Sequence, residues 1–260
     1  MSRHLSAKEC RDVIADLAVV LPELLRPAFN TRSLLLPVIL GNTDETQHNR
    51  WDPVFTGGCI VGFLITDAAA SPPSLTKDLD TVIQIHSYGE QQEVERALSE
   101  YGFRRDLSGE LPVEAWLWHG VRIDILPHMN SITKTLMNPW FEDIIETATR
   151  VEALPGRYAW IASAPAFLAS KCVAFQDRGR GDLFKSKDLE DILAVIDGRP
   201  ELEGEVGASA PRLRDTLRQQ FSAMLEDEAI CDALPSLIPD EHREAIVINR
   251  MRRMIDGTGG

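Results

Sequence analysis

Two short runs in which aspartates alternate with apolar residues constrain this chain most. The first run, residues 78–85, begins with Asp78 and Asp80, and the second, residues 121–126, carries Asp124 between isoleucines. Side chains at positions i and i+2 of a β-strand point to the same face, so Asp78 and Asp80 project together and Asp124 faces away from its apolar neighbours. If the two strands are neighbours in one sheet, three carboxylates meet at one place.

Carboxylates held together repel one another, so this arrangement is strongly destabilising unless cations occupy it. Two Mg²⁺ ions roughly 3.5–4 Å apart would remove the repulsion, activate an attacking hydroxyl and stabilise a leaving oxygen. The sequence therefore predicts a site for Mg²⁺ (or Mn²⁺) at Asp78, Asp80 and Asp124. A lone Asp-x-Asp can equally be a solvated strand end or a turn. The position of Asp124 inside an apolar strand favours the metal site, because polar residues in buried strands usually have a partner there.

A pair of glycines, Gly57 and Gly58, precedes the first run by about twenty residues. Glycine allows close approach of the backbone and exposes amide N–H groups, and at the start of a helix such groups form a cradle for phosphate. A simple tight turn is the alternative for the pair taken alone.

The remaining pattern predicts an α/β (α+β) fold with a mixed-sheet core, N-terminal helices and a helical C-terminal region. Pro22 is expected to kink or divide the first helix, and the loop at 67–74 follows from its prolines and small residues. The apolar run 33–40 fits a strand or a helix end. The predicted elements are helix 6–29, strand 78–85, helix 90–101, an antiparallel pair of strands at 113–119 and 121–126, helix 138–149, strand 157–162, a helix that follows Ser163, and helices 188–196, 212–228 and 240–254. Two parts are expected, residues 1–137 and 138–260.

A basic segment lies in the helical part. Between residues 171 and 187 there are five basic and two acidic residues, an excess suited to binding a polyphosphate. A solvated basic loop is the alternative for this segment. Lys171 lies on an apolar helix face, where a lysine needs an anionic partner, and Asp188 or Asp191 could supply a structural ion pair instead. Four C-terminal arginines, Arg243, Arg250, Arg252 and Arg253, are typical of a solvated helix face, with contact to an acceptor molecule as the alternative.

Composition narrows the class of protein. A formal charge of −13 argues against a protein that coats nucleic acid non-specifically, but leaves room for a local basic groove. No apolar run approaches the ~20 residues of a membrane span, and the N-terminus lacks the layout of a secretory signal, so a cytoplasmic protein without membrane contact is expected. The cysteines, Cys10, Cys59, Cys172 and Cys231, are scattered among apolar residues and are expected to be buried thiols.

Gly57, Gly58, Asp78, Asp80 and Asp124 resemble, in order, the pattern of the DNA polymerase β-like nucleotidyltransferase superfamily. Their arrangement is most similar to its bacterial stand-alone branch, which includes AbiEii-type toxins. In that pattern a glycine pair opens a helix, Asp-x-Asp follows on a strand, and a third Asp lies on a later strand. The block from residue 164 to 192 resembles the helical region that follows the core. The match covers roughly residues 56–199, and the loop at 67–74 makes the distance from glycines to Asp-x-Asp longer than in compact members.

The resemblance implies transfer of a nucleoside monophosphate from a nucleoside triphosphate (NTP) to an acceptor hydroxyl. Asp78 and Asp80 would hold both metal ions, Asp124 would complete the second site and act as general base, and the glycines would hold the β- and γ-phosphates. Lys171 would contact the triphosphate, with Asp188 as a supporting acid.

The acceptor implied by the branch is RNA, a protein or a small molecule, and a toxin role with an antitoxin protein as partner also follows from the resemblance alone. A non-catalytic nucleotide-binding protein and a metal-dependent phosphohydrolase stay as alternatives from other classes.

Overall fold

The computed structural model describes residues 4–30, 48–49, 51–105, 115–128, 138–178 and 182–257, with only the backbone for 26–30. Its contacts divide the chain into two units, Met1–Ile60 with Leu75–Ala162, and Val61–Ser74 with Ser163–Gly260. The sequence-based division falls at 137/138 instead. The difference arises because the strands between 149 and 161 join the sheet of the first unit.

The strands of the first unit form one sheet, seven-stranded in the described part of the chain, in the order β3-β4-β5-β2-β1-β7-β6. In chain order they are β1 (Val54–Thr56), β2 (Asp78–Gln84), β3 (Arg104–Arg105), β4 (Ala115–Trp118), β5 (Val121–His128), β6 (Thr149–Leu154) and β7 (Arg157–Ile161). The β2–β5 and β1–β7 pairs are parallel and the other pairs are antiparallel. The predicted mixed-sheet α/β fold is confirmed.

The registers of two strand pairs determine where the residues of the predicted site lie. Antiparallel pairing of β1 with β2 sets Thr56 opposite Asp80. Parallel pairing of β2 with β5 sets Asp78 opposite Arg122 and Asp80 opposite Asp124. Since directly paired residues share a face of a sheet, these side chains lie on one face, while Leu79, Thr81, Ile123 and Ile125 are buried on the other.

The helices in chain order are α1 (Ala7–Asn30), α2 (Val61–Leu64), α3 (Tyr88–Tyr101), α4 (Phe141–Glu146), α5 (Ala164–Arg178), α6 (Lys187–Gly198), α7 (Leu202–Ala208), α8 (Pro211–Glu226), α9 (Glu228–Leu237) and α10 (Glu241–Asp256). Short 3₁₀ helices span Gly58–Ile60 and Leu183–Lys185. The first unit contains α1, α3 and α4, and the second contains α2 and α5–α10, so its predicted helical character is confirmed.

Two details differ from the prediction. α1 is not divided at Pro22, and Leu17, Leu21 and Leu25 are fully buried on either side of the proline. α4 is shorter than the predicted helix 138–149, because Thr149 already begins β6. The apolar run 33–40 lies outside the described residues.

Local capping explains where α3 begins and ends. The Ser87 side chain accepts a hydrogen bond from the Glu90 backbone, and Gly102 ends the helix in the left-handed conformation at φ 105°. α3 packs against the sheet face opposite the aspartates, where Val94 and Leu98 line the same cavity as Ile83 and Ile125. α3 therefore does not cover the face of β2 and β5 that carries the aspartates.

Cys10, Cys59 and Cys172 are buried thiols, as expected, and burial raises the pKa of Cys10 to about 11 and that of Cys172 to about 12. Cys231 is exposed, so its predicted burial is wrong. It lies on an outward position of α9, whose buried side is formed by Ile230, Ala233 and Leu234. No helix in the described part of the chain is long and apolar enough to cross a membrane.

Candidate functional site

The three predicted aspartates lie side by side on one face of two adjacent strands. Asp78 and Asp80 are half-buried on β2, and Asp124 is buried on β5 directly opposite Asp80. Alternation within β2 and parallel register between β2 and β5 produce this arrangement, because both keep the carboxylates on the same side of the sheet. The structure therefore brings together the three side chains that the sequence pattern singled out.

Gly57 lies against the side chain of Asp80. Its φ is +71°, a left-handed conformation, and a Cβ built there would lie 1.9 Å from Asp80 Oδ2 and 2.8 Å from Asp80 Cγ. Such distances are far inside van der Waals contact, so a side chain at this position would displace the carboxylate. Gly58 begins the 3₁₀ helix, and the backbone of Ile60 donates to the Gly57 carbonyl at 3.3 Å. Gly57 thus forms a notch for the Asp80 carboxylate.

A residue that the sequence reasoning missed, Arg122, lies among the aspartates. Its Nε donates to Asp124 Oδ1 at 2.8 Å, its Nη2 donates to Asp124 Oδ2, and its Nη1 lies 3.5 Å from Asp78 Oδ2. Hydrogen bonding to Asp124 raises the pKa of Arg122, and its side chain is only 16% exposed. The signal was present in the sequence, since Arg122 is two residues before Asp124 on the same strand and therefore shares its face.

The donor chemistry of this face fits Mg²⁺. Three carboxylates supply the oxygen ligands that this ion prefers, and the notch at Gly57 leaves space for one of them. As the side chains stand, no three acidic, histidine or cysteine groups among the described residues form a metal-holding cluster. Both oxygens of Asp124 accept hydrogen bonds from Arg122. A metal bound by all three carboxylates would therefore compete with the guanidinium for Asp124.

Cys59 lies close to the aspartates but is unsuited to chemistry. Its thiol donates to the Thr56 carbonyl at 3.0 Å, and burial together with the charge of Asp80 raises its pKa well above the ordinary value. A neutral, buried thiol is neither a nucleophile nor a metal ligand.

Two histidines near the ends of β5, His119 and His128, lie at a distance along the chain from Asp124. His119 is exposed in the turn between β4 and β5, with its ring 4.5 Å from that of Trp118. His128 is buried opposite Gln84, at the far end of the same strand pair. Trp118 also stacks on Phe103, with 5.5 Å between the ring centroids, so its ring has a packing role.

In the second unit, Lys171 is held by two carboxylates. Its Nζ lies 2.7 Å from Asp191 Oδ2 and 3.1 Å from Asp188 Oδ1, and Arg178 reaches Asp188 at 3.2 Å. Burial raises the pKa of Asp191, against the opposing effect of Lys171. These contacts favour the structural ion pair that the sequence left open, and they involve both Asp188 and Asp191.

The exposed part of the basic segment is largely paired. Lys185 lies 2.8 Å from Asp182, and Lys187 lies 2.7 Å from Glu190 and donates to Ser74. Arg180 lies outside the described residues. The described lysines of this segment therefore already have acidic or polar neighbours.

Two of the C-terminal arginines, Arg243 and Arg250, are structural, which contradicts the predicted solvated face for them, whereas Arg252 and Arg253 are exposed as predicted. Arg250 is buried and donates to the carbonyls of Ile196 and Asp197, at the C-terminal end of α6. Arg243 binds Asp197 at 2.6 Å and Asp67 at 2.7 Å, and Arg253 binds Glu203 at 2.6 Å. The reason is that the last carbonyls of a helix lack partners within the helix and attract cations.

Comparison with known proteins identifies neither a family nor a function for this chain. No protein-family profile and no curated protein matches the chain. The crystal structure of JHP933 from Helicobacter pylori is similar to it with a TM-score of 0.38 and 12% sequence identity, over 93% of each chain. A likeness of that size carries no argument about fold or function.

Proposed function

We propose that this protein is a metal-dependent nucleotidyltransferase, which moves a nucleoside monophosphate from an NTP to an acceptor hydroxyl and releases pyrophosphate. One observation supports the proposal most: Asp78, Asp80 and Asp124 share a face of β2 and β5 in aligned register, beside the notch of Gly57. Placing three acids together on a sheet is costly unless cations offset their charge, and Arg122 supplies only one positive charge among them. The resemblance of the same residues to the nucleotidyltransferase pattern supports the reaction class.

In this proposal Asp78 and Asp80 hold Mg²⁺ or Mn²⁺, with Asp124 as third ligand. The metal, when bound, supplies Lewis-acid stabilisation to the phosphate and hydroxyl oxygens. Asp124 accepts the proton of the acceptor hydroxyl, because it faces the same side as the other two acids and its carboxylate is the buried one. Gly57 and Gly58 leave the backbone accessible to the β- and γ-phosphates. The chain mainly orients groups and neutralises charge, which is what phosphoryl transfer demands.

The proposed contact of Lys171 and Asp188 with the triphosphate rests on the resemblance alone. The acceptor proposed by the same resemblance is RNA, a protein or a small molecule. A toxin role with an antitoxin partner is the corresponding biological hypothesis. Growth arrest on expression, relieved by Asp80→Ala, is the expected sign of it.

A labelling assay tests the reaction. The protein is incubated with Mg²⁺ or Mn²⁺ and each α-labelled NTP, together with total RNA or with a protein extract. Asp80→Ala removes a proposed metal ligand and is expected to abolish transfer. Asp16→Ala serves as the matched control, since Asp16 is a half-exposed aspartate that pairs with Arg157 at 2.6 Å, away from the three acids.

Label in one fraction that is lost with Asp80→Ala and retained with Asp16→Ala would establish transfer and identify the acceptor class. Full transfer by Asp80→Ala would contradict the metal site. Pyrophosphate release without a labelled acceptor would indicate a phosphohydrolase. NTP binding without either product would indicate a small-molecule acceptor or a non-catalytic nucleotide-binding protein.

A further inference from the structure

Arg122 already occupies the position that a cation would take among the aspartates. It contacts both oxygens of Asp124 and approaches Asp78, which is its direct partner in the β2–β5 register. Bidentate pairing of this kind is among the strongest charge-assisted contacts in proteins. With all four groups ionised, one guanidinium beside Asp78, Asp80 and Asp124 leaves a net charge of −2, where −3 would stand without it.

We propose that Arg122 is a built-in counter-cation that must release Asp124 before the three aspartates take up a divalent metal. The inference rests on the proposed function, because it concerns the metal site of that reaction. The metal and the guanidinium compete for Asp124, because the carboxylate oxygens that would bind the metal are the same ones that accept from Nε and Nη2. The site is therefore stable without metal, and it binds a metal ion weakly when no nucleotide is present.

Two effects of removing the guanidinium have opposite signs, which makes the inference testable. Without Arg122 the buried Asp124 loses the two hydrogen bonds from Nε and Nη2, so the metal-free protein should lose stability. The same change removes the competitor and makes the cluster more negative, so affinity for a divalent ion should rise. An arginine that only supported the structure would lower both stability and metal affinity when replaced.

The experiment measures Mn²⁺ binding to the full chain by electron paramagnetic resonance, without nucleotide. Arg122→Gln is expected to bind Mn²⁺ on the order of tenfold more tightly than the unaltered protein, a change matching the loss of strong hydrogen bonds to one carboxylate. Arg122→Lys keeps the charge but cannot contact both oxygens in the same planar geometry, so a smaller gain is expected. Arg157→Gln is the matched control, because Arg157 also lies on a strand and pairs with an aspartate, yet is 50% exposed.

Thermal unfolding without metal accompanies each variant, and Arg122→Gln should unfold at lower temperature than the unaltered protein. If that variant fails to fold, Arg122→Lys alone decides the question. Unchanged or weaker Mn²⁺ binding in the folded Arg122 variants, with binding still abolished by Asp80→Asn, would overturn this inference and leave the proposed function standing. Absence of Mn²⁺ binding in the unaltered protein and in all variants, with or without NTP, would overturn the proposed function itself.

Discussion

At the scale of single residues, the close contact between Gly57 and Asp80 sets the strictest requirement on residue type. Gly57 combines a left-handed backbone with an approach to Asp80 that leaves no room for a methyl group. A glycine in a turn needs only the first of these properties. The second ties the glycine to one carboxylate of the proposed site, so the residue has a structural reason to be glycine before any phosphate is considered.

Gly57→Ala should therefore cost more than an ordinary glycine replacement at positive φ. The left-handed conformation accounts for roughly 1–2 kcal/mol, and displacement of Asp80 adds about 1–3 kcal/mol by overpacking. Gly156→Ala is the control, because Gly156 has a φ of +74° but nothing within 4 Å of the added Cβ. Denaturant unfolding of both variants measures the difference. Equal losses of stability in the two variants would mean that Asp80 moves aside without cost. The contact with Asp80 would then not require a glycine at position 57.

At the scale of elements, a buried ion pair joins α5 to α6. Lys171 on α5 contacts Asp188 and Asp191 on α6, and its side chain is only 13% exposed. Burying a charge is unfavourable unless it is paired, and here one lysine offsets two acids. The contact therefore fixes how the two helices pair within the second unit.

Lys171→Met should destabilise the protein by about 3–5 kcal/mol, because it leaves two buried carboxylates without their main cation. Lys187→Met is the control, since Lys187 is 60% exposed in its pair with Glu190 and such pairs contribute about 0–1 kcal/mol. Chemical unfolding of both variants, with NTP affinity measured in parallel, separates two roles. Weakened NTP binding with unchanged stability would show that the triphosphate contact, rather than the ion pair, is what Lys171 provides.

Elements with a strong local pattern were predictable from the sequence. The run after Asp78 alternates and contains β-branched residues, and α3 has a serine cap, so both were found. β6 was missed, with only Thr149 placed at the end of the predicted helix 138–149, because its pairing with β7 across a hairpin is not visible in the periodicity. β1 has 3 residues, too few for any periodicity.

The candidate site also has one part that was predictable from the sequence and one part that was not. The face shared by Asp78 and Asp80 follows from alternation, but their adjacency to Asp124 depends on a strand pairing across about forty residues. Arg122 was missed because an arginine next to a turn normally indicates a solvated position. Its spacing from Asp124 placed both on one face, and the strand register adds its position opposite Asp78.

At the scale of the whole molecule, the second unit is discontinuous in sequence. Residues Val61–Ser74 belong with Ser163–Gly260 although they lie in the chain between β1 and β2 of the first unit. The amides of Thr66 and Asp67 donate to the Gly198 carbonyl at 2.8 and 2.9 Å, and Arg199 donates to the Leu64 carbonyl at 2.9 Å. Arg243 adds the ion pair with Asp67. The end of α6 is thus completed by a segment from more than a hundred residues away.

This arrangement predicts which parts of the chain open together in hydrogen exchange. Arg243→Met removes the contacts to Asp67 and Asp197, so the amides of Thr66 and Asp67 should exchange faster together with those of α6. Gly57→Ala should instead speed exchange in β1 and β2 and leave Thr66 and Asp67 unchanged, since their bonds run to Gly198. Exchange in the full chain, followed by mass spectrometry, measures both. If Thr66 and Asp67 followed the strands in either variant, the segment would belong energetically with the sheet, and the contacts at the end of α6 would contribute little.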